Sequence, residues 1–171
     1  ELGLGFDGVA AALAGFRGAE RRFERLGEHA GVLVVDDYGH HPTEIAAVLA
    51  AARTMLERRL IVAFQPHRFS RTRQLFQDFG PSLREADEIV LADIYPAGEE
   101  PISGVTLDTL AVAIREGSGR PVHVARTLDD VVPTVLSIAR AGDAVITLGA
   151  GSIGTVPSRL VSALERRGGG R

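Results

Sequence analysis

Short apolar runs alternate with helical segments along most of the chain, and this alternation constrains the fold more than any other feature. Four of the runs, RLIVAFQP, EIVLADIY, PVHVA and DAVITLG, are typical of buried strands. Helical periodicity extends over residues 43–57, 70–85, 107–116, 128–140 and 156–167. Strands separated by such helices pair in parallel through right-handed crossovers, and uniformly apolar strands are covered on both faces. The sequence therefore predicts an α/β fold with a mostly parallel sheet and helices on both faces.

A β-hairpin is predicted ahead of this alternation, because the strand-like segments RRFERLG and GVLVVDD flank the short segment EHA. The first helix has Pro42 at its start, with Thr43 or His41 as the N-cap. The second helix is predicted to be interrupted or bent near Gly80 and Pro81, since proline disturbs a helix interior.

The composition limits the chemistry that this chain can perform. Its 171 residues carry a net charge of −3, so no overall basic field points to nucleic acid. The chain has no cysteine, which excludes disulfides and thiolate zinc sites and fits a cytoplasmic setting. All 19 basic residues are arginine, so the chain itself has neither a P-loop lysine nor a Schiff-base amine. No apolar run is long enough to insert into a membrane.

Three polar segments each follow a predicted strand: DDYGHHP, QPHRFSRTR and GAGSIG. The carboxyl ends of parallel strands lie at one edge of the sheet, where open α/β sheets bind their ligands. We therefore expect these three segments to meet at that edge and to form the functional site.

The GAGSIG segment has three interpretations. Gly149, Gly151 and Gly154 match the G-x-G-x-x-G pattern of dinucleotide loops. However, this segment follows the last predicted strand, so no later strand provides an acidic residue for a ribose. The glycines could instead form a tight turn that lets strand and helix pack closely. Alternatively, the backbone could form a nest for phosphate or carboxylate, with Ser152 adding a hydroxyl group.

The second segment contains Arg68 and Arg71, close to the start of a predicted helix and on neighbouring sides of it. Guanidinium groups beside a helix N-terminus form a strong clamp for a carboxylate or a phosphate. The alternative is that both are solvated surface arginines.

The DDYGHHP segment also leaves alternatives open. A zinc site could combine His41 and Glu44 with His67 from the next strand, although no H-E-x-x-H motif is present. A structural role would make His41 a helix cap. An anionic-ligand site would use histidines and arginines for carboxylates and an aspartate for sugar hydroxyls. Because neighbouring strand residues face opposite sides, Asp36 and Asp37 are predicted to differ in role, with Asp36 structural.

Five motifs occur in order along the chain: FRGAERRFE, VDDYGHHPTE, FQPHRFSRT, ADEIVLADIYPAGEEPI and GAGSIG. Together they resemble the C-terminal domain of the Mur ligase family of peptidoglycan synthesis, over residues 15–153. The resemblance implies a Rossmann-like domain that closes over the active site. It also implies two further domains of the same protein, an N-terminal one that binds the UDP sugar and a central one that carries the P-loop.

The resemblance implies an ATP-dependent ligase that joins L-alanine to UDP-N-acetylmuramic acid through an acyl phosphate, in the cytoplasm. ATP and Mg²⁺ would be bound mainly by the central domain, so the present chain alone is expected to be inactive. Residues 1–20 would be the end of the central domain and a linker, 21–167 the C-terminal domain, and 168–171 a flexible tail. The alternatives are the family member that recycles murein tripeptide, a non-catalytic Rossmann-type module for anions or nucleotides, and a small zinc hydrolase.

The resemblance also assigns roles to individual residues. It implies that three contact ATP: Arg22, Asp37 and Tyr38. It implies that three project into the cleft as catalytic residues: His40, Arg68 and Arg71. We assign four more to substrate binding: His41, His67, Gly151 and Ser152. The family loop commonly reads GAGDIG where this chain has GAGSIG, which leaves the role of Ser152 open. No residue is assigned to a metal.

Overall fold

The computed structural model describes residues 21–169, so the predicted linker at 1–20 and the last two residues of the predicted tail lie outside it. Six strands form one sheet: β1 (Glu24–His29), β2 (Val32–Asp37), β3 (Leu60–Phe64), β4 (Glu88–Ala92), β5 (Val122–Ala125) and β6 (Ala144–Leu148). Their order is β1-β2-β6-β3-β4-β5. The β1–β2 pair is antiparallel and all other pairs are parallel, which confirms the predicted sheet and hairpin.

Among the described residues, six α-helices connect or follow the strands: α1 (Pro42–Met55), α2 (Phe69–Gln74), α3 (Phe79–Ser82), α4 (Leu107–Ser118), α5 (Leu128–Ile138) and α6 (Val156–Gly168). A short 3₁₀ turn at Ser152–Thr155 precedes α6. Within residues 21–169, none of the helices combines the length and the apolar character that crossing a bilayer requires.

Two hydrophobic clusters lie on the two faces of the sheet, as predicted. In β2, Leu33 and Val35 pack in the cluster that contains α1 and α4. Val32 and Val34 pack in the cluster that contains α5 and α6. This alternation follows from the two-residue period of a strand, and it places the side chains of consecutive residues on opposite faces up to the end of β2.

The hairpin turn begins two residues later than predicted and is one residue shorter, at 30–31 instead of 28–30. Strand β1 continues to His29, and the turn is formed by Ala30 and Gly31, with φ of 50° and 77°. Two-residue hairpin turns of this type need positive φ at both positions, because only then does the turn match the twist of the strands.

The second predicted helix is divided into α2 and α3, and its interruption at residues 75–78 precedes Gly80 and Pro81. Pro81 is tolerated inside α3 because the first turn of a helix leaves its N–H groups unpaired anyway. Gly80 has a packing role: a Cβ atom on it would lie 2.7 Å from the Cα of Gly117 in α4. The Gly-Pro pair therefore belongs to a close crossing of two helices, and the break itself lies before it.

The direction of the crossovers determines where the site lies. The connections from β2 through β5 place their helices on one face, and the return from β5 to β6 passes over the other face. This return places β6 in the middle of the sheet, between β2 and β3. The loops that follow β2, β6, β3 and β4 are neighbours at the carboxyl edge, where the polar segments were predicted to meet.

Candidate functional site

Four aromatic rings form a row across the carboxyl edge of the sheet. Tyr38 contacts His40 edge to face at 5.5 Å between ring centroids, and His40 lies 5.8 Å from His67. His67 stacks on Tyr95 at 5.4 Å, and a parallel β-bridge joins the same two residues. The row therefore connects the loops after β2, β3 and β4, and it brings the DDYGHHP and QPHRFSRTR segments together as predicted.

Two arginines lie over the ring at one end of this row. The guanidinium carbons of Arg21 and Arg22 are 5.4 Å and 5.8 Å from the centroid of the Tyr38 ring. Arg22 is exposed. Arg21 donates through Nε to Asp36 at 2.7 Å and through Nη2 to the Gly149 carbonyl at 2.7 Å. Sequence reasoning missed Arg21, because nothing in the pair Arg21-Arg22 indicates which of the two turns inward.

The two aspartates at the end of β2 have different partners, as their alternation predicted. Asp36 is 3% exposed, pairs with Arg21 and accepts a hydrogen bond from the Thr147 hydroxyl at 2.6 Å. Its role is structural. Asp37, also 3% exposed, accepts hydrogen bonds from the amides of Phe23 at 2.8 Å and Gly39 at 2.7 Å. The Asp37 carboxylate therefore holds the turn that carries the aromatic row.

The start of α1 is closed by its own neighbours. Of the two predicted N-caps, His41 is the one that forms: the Thr43 amide donates to its Nδ1 at 3.3 Å. In return, Glu44 accepts from the amides of His40 and His41. Burial acts to raise the pKa of Glu44, but these two amides, with nearby positive charge, hold that pKa below its usual value. Within residues 21–169, no group of three or more His, Cys, Asp or Glu residues could hold a metal ion.

The two predicted clamp arginines share a pocket. Arg68 and Arg71 line a cavity of about 260 Å³ together with His41 and Ser70. Among the described residues, neither guanidinium has an ion-pair partner. One amide in the first turn of α2 is already used, because Ser70 donates its N–H to the Glu99 carboxylate at 2.9 Å. The two guanidinium groups are therefore the main donors that this pocket offers to an anion.

His67, a member of the aromatic row, carries a buried Nδ1 atom that has no hydrogen-bond partner within the described residues. Burial lowers the pKa of His67 by disfavouring the charged imidazolium, and the positive charge of Arg71 lowers it further. His67 therefore presents a neutral imidazole at neutral pH.

The glycines of the GAGSIG segment allow close packing, the second of the three interpretations. A Cβ atom on Gly151 would lie 2.7 Å from Cγ of Tyr95, and one on Gly149 would lie 2.9 Å from the Gln65 carbonyl oxygen. Two donors that a nest would offer are already used: the Ser152 hydroxyl and the Ile153 amide both donate to Gln65 Oε1, at 3.3 Å and 2.9 Å. Sequence reasoning missed Gln65, a buried polar residue that follows β3 directly.

The chain is similar in sequence to a known protein family and to named relatives. A family model described as "Mur ligase, glutamate ligase domain" matches residues 21–151. The UDP-N-acetylmuramate–L-alanine ligase of Oleidesulfovibrio alaskensis is 54% identical over 157 residues, which cover 91% of this chain and 35% of that protein. The chain spans about a third of the length of the curated relatives that it matches.

Two solved structures share the fold. The UDP-N-acetylmuramate–alanine ligase MurC of Thermotoga maritima has a TM-score of 0.77 at 26% identity, with 97% of this chain and 35% of that chain covered. A murein peptide ligase of Psychrobacter arcticus has a TM-score of 0.71 at 28% identity, with 92% and 32% covered.

Proposed function

Because the chain belongs to the Mur ligase family and contains its glutamate ligase domain, we propose that it is one domain of UDP-N-acetylmuramate–L-alanine ligase. The complete enzyme would join L-alanine to UDP-N-acetylmuramic acid in cytoplasmic peptidoglycan synthesis, with ATP forming an acyl phosphate. Residues 21–167 would be the C-terminal domain, and 1–20 the end of the central ATP-binding domain with its linker. The names of the relatives at 48–54% identity support this member of the family.

One observation carries the proposal for the site: two guanidinium groups lie at the sheet edge beside a neutral imidazole, and no carboxylate of residues 21–169 pairs with either of them. Arg68 and Arg71 would hold negative charge on the substrate side, on a carboxylate, a sugar-linked phosphate or the forming acyl phosphate. Arginine suits this task because its forked donors match such oxyanions and because it stays charged when partly desolvated. His67 and His41 border the same charge and would contribute to substrate binding.

The nucleotide would lie at the other end of the row. Arg22 and Tyr38 are exposed there and would contact ATP, whose phosphates and Mg²⁺ the central domain would bind. Asp37 would act in the same place, although both of its oxygens already accept hydrogen bonds from backbone amides. Nδ1 of His40 lies 3.2 Å from the Tyr38 carbonyl, so Nε2 would be the nitrogen that faces developing negative charge.

The loop after β6 would border the substrate through Gly151, which lies against Tyr95 in the row. Ser152 would take part only if its hydroxyl exchanged its hydrogen bond with Gln65 for one with the ligand.

The test is the substrate specificity of the complete ligase that contains this domain. Phosphate release is measured with ATP, Mg²⁺ and UDP-N-acetylmuramic acid, with either L-alanine or murein tripeptide as the second substrate. We expect turnover with L-alanine. A preference for the tripeptide would identify the recycling ligase, and no ATP-dependent release with either substrate would identify a non-catalytic module.

A further inference from the structure

Arg68 occupies an unusual backbone position. It is the N-cap residue of α2, and its backbone has φ of 72° and ψ of 136°. Residues other than glycine rarely adopt this conformation. Helix N-caps are normally Ser, Thr, Asp or Asn, whose side chains accept from the first amides of the helix. The Arg68 side chain is a donor only and forms no cap hydrogen bond. Another group must therefore satisfy the start of α2.

Glu99, in the loop between β4 and α4, supplies the missing hydrogen-bond acceptor at the start of α2. Its Oε2 accepts the Ser70 amide at 2.9 Å, and its Oε1 accepts the Ser70 hydroxyl at 2.6 Å. These hydrogen bonds, first the hydroxyl and then the amide, lower the pKa of Glu99 below its usual value, so the carboxylate is charged at neutral pH. A tight turn presents the residue: the Glu99 amide donates to the Pro96 carbonyl at 3.0 Å.

The loop after β4 also bonds the backbone of Arg68 directly. The Arg68 amide donates to the Tyr95 carbonyl at 2.8 Å. The Arg68 carbonyl accepts from the Thr72 amide at 3.0 Å and from its hydroxyl at 2.7 Å. The backbone N–H and carbonyl of Arg68 are thus both hydrogen-bonded, on either side of its strained dihedral angles. The loop after β4 contributes twice: Tyr95 bonds Arg68 directly, and Glu99 bonds Ser70 two residues later.

We propose that Glu99 is a positioning residue: its carboxylate replaces the N-cap of α2, so that residue 68 can be an arginine whose guanidinium group enters the pocket. This inference rests on the proposed function for its kinetic consequence. Its structural part, the coupling of Glu99 to the backbone of residues 68–72, stands on the hydrogen bonds alone.

The kinetic test is a double-mutant cycle in the complete ligase. We expect Glu99→Ala to lower kcat/KM for L-alanine by about tenfold or more, because Arg68 loses its orientation. If Glu99 acts through Arg68, adding Glu99→Ala to Arg68→Lys changes kcat/KM by less than about threefold, because coupled sites are not additive. Glu100→Ala is the matched control: Glu100 is exposed and adjacent, and it forms no hydrogen bond within residues 21–169. The inference would be overturned if the double mutant lost kcat/KM by the product of the two single-mutant factors. It would also be overturned if Glu99→Ala had the same kcat/KM as Glu100→Ala.

Hydrogen exchange of the peptide that covers residues 68–74 provides a measurement that needs no activity. We expect Glu99→Ala to accelerate exchange of the Ser70 and Thr72 amides by about tenfold or more, and Glu100→Ala to leave it unchanged. Glu99→Gln, which keeps an acceptor, should fall between them. Unchanged exchange in Glu99→Ala would refute the positioning role whatever the enzyme catalyses. Faster exchange in a protein that does not use L-alanine would refute the proposed function alone.

Discussion

At the scale of single residues, adjacent positions in this chain have opposite environments. The Arg21 guanidinium donates hydrogen bonds to Asp36 and to the Gly149 carbonyl, whereas the Arg22 side chain is exposed and lies over the Tyr38 ring. Arg21 therefore joins the segment before β1 to the loop after β6, and Arg22 remains available to a ligand. We therefore expect substitution of Arg21 to change the stability of the fold, and substitution of Arg22 to change ATP binding by the complete ligase.

We expect Asp36→Ala to destabilise the fold. Removing one partner of a buried ion pair costs about 3–5 kcal/mol, and we expect about 2–3 kcal/mol because Arg21 is partly exposed. The side chains of the pair are 23% and 5% exposed. Urea unfolding of the chain measures this free energy. The control is Asp108→Ala, which removes a solvent-exposed pair with Arg126 and should cost much less stability than Asp36→Ala, because water and salt screen exposed pairs. Equal losses in both variants would contradict the assignment.

His67 should make stability depend on pH. Its pKa in the folded chain lies below the ordinary value of 6.5, so the unfolded chain binds a proton first as the pH falls. The free energy of unfolding therefore decreases as the pH falls below about 6.5, until the pH passes the folded pKa. We expect His67→Gln to reduce the stability difference between pH 7 and pH 5 in urea titrations. A difference as large as in the wild type would rule out this contribution.

The clamp arginines should not tolerate lysine. Lysine keeps the charge but loses the forked donor geometry, so we expect Arg68→Lys and Arg71→Lys to lower kcat of the complete ligase by about 10²-fold. The control Arg73→Lys changes an exposed arginine of the same helix that does not line the pocket. We would measure kcat and KM for each substrate by steady-state kinetics. Circular dichroism would verify that the variants fold. Values of kcat/KM within about threefold of the wild type for both variants would mean that these arginines are solvated surface residues.

At the scale of elements, α3 and α4 cross in close contact. The Gly80–Gly117 pair lets the two backbones approach, and α4 packs there beside the first hydrophobic cluster. This contact supports the face of the sheet that also carries α1 and α2, and therefore both loops that hold the histidines.

Gly80→Ala should destabilise the protein by about 1–3 kcal/mol, because the added methyl group meets backbone atoms that cannot move aside. The matched control is Gly168→Ala near the end of α6, where the new Cβ would be at an ordinary 3.6 Å from its nearest neighbour. That variant should be neutral or slightly stabilising, since alanine favours a helix. Thermal unfolding measures both, and a neutral Gly80→Ala variant would show that the crossing can relax.

At the scale of the whole molecule, both hydrophobic clusters share one sheet, so we expect the chain to unfold in a single cooperative transition. We also expect the chain alone to release no phosphate from ATP with UDP-N-acetylmuramic acid and L-alanine, because it has no lysine for a P-loop. A malachite-green assay of the purified chain measures this. ATP- and L-alanine-dependent release above the level of a no-protein control would show that the chain is sufficient for catalysis.

The sequence by itself determined the succession of strands and helices along the chain, the mostly parallel sheet, the edge where the polar segments meet, and the Mur ligase family. The order of the strands within the sheet came only from the structure. The features that the sequence determined follow from local information: the two-residue and 3.6-residue periods, the handedness of crossovers, and short motifs whose order is visible along the chain. The alternation at Asp36 and Asp37 was predictable for the same reason.

Only the tertiary structure decided which polar groups are already satisfied. Arg21 reaches Gly149, 128 positions away, Ser152 is held by Gln65, and Ser70 is capped by Glu99 from another loop. No local pattern encodes these partners, because buried donors and acceptors take whatever complementary group the packing brings within reach. The fold therefore separates arginines that are held by acceptors within the structure, such as Arg21, from Arg68 and Arg71, which have no ion-pair partner among residues 21–169.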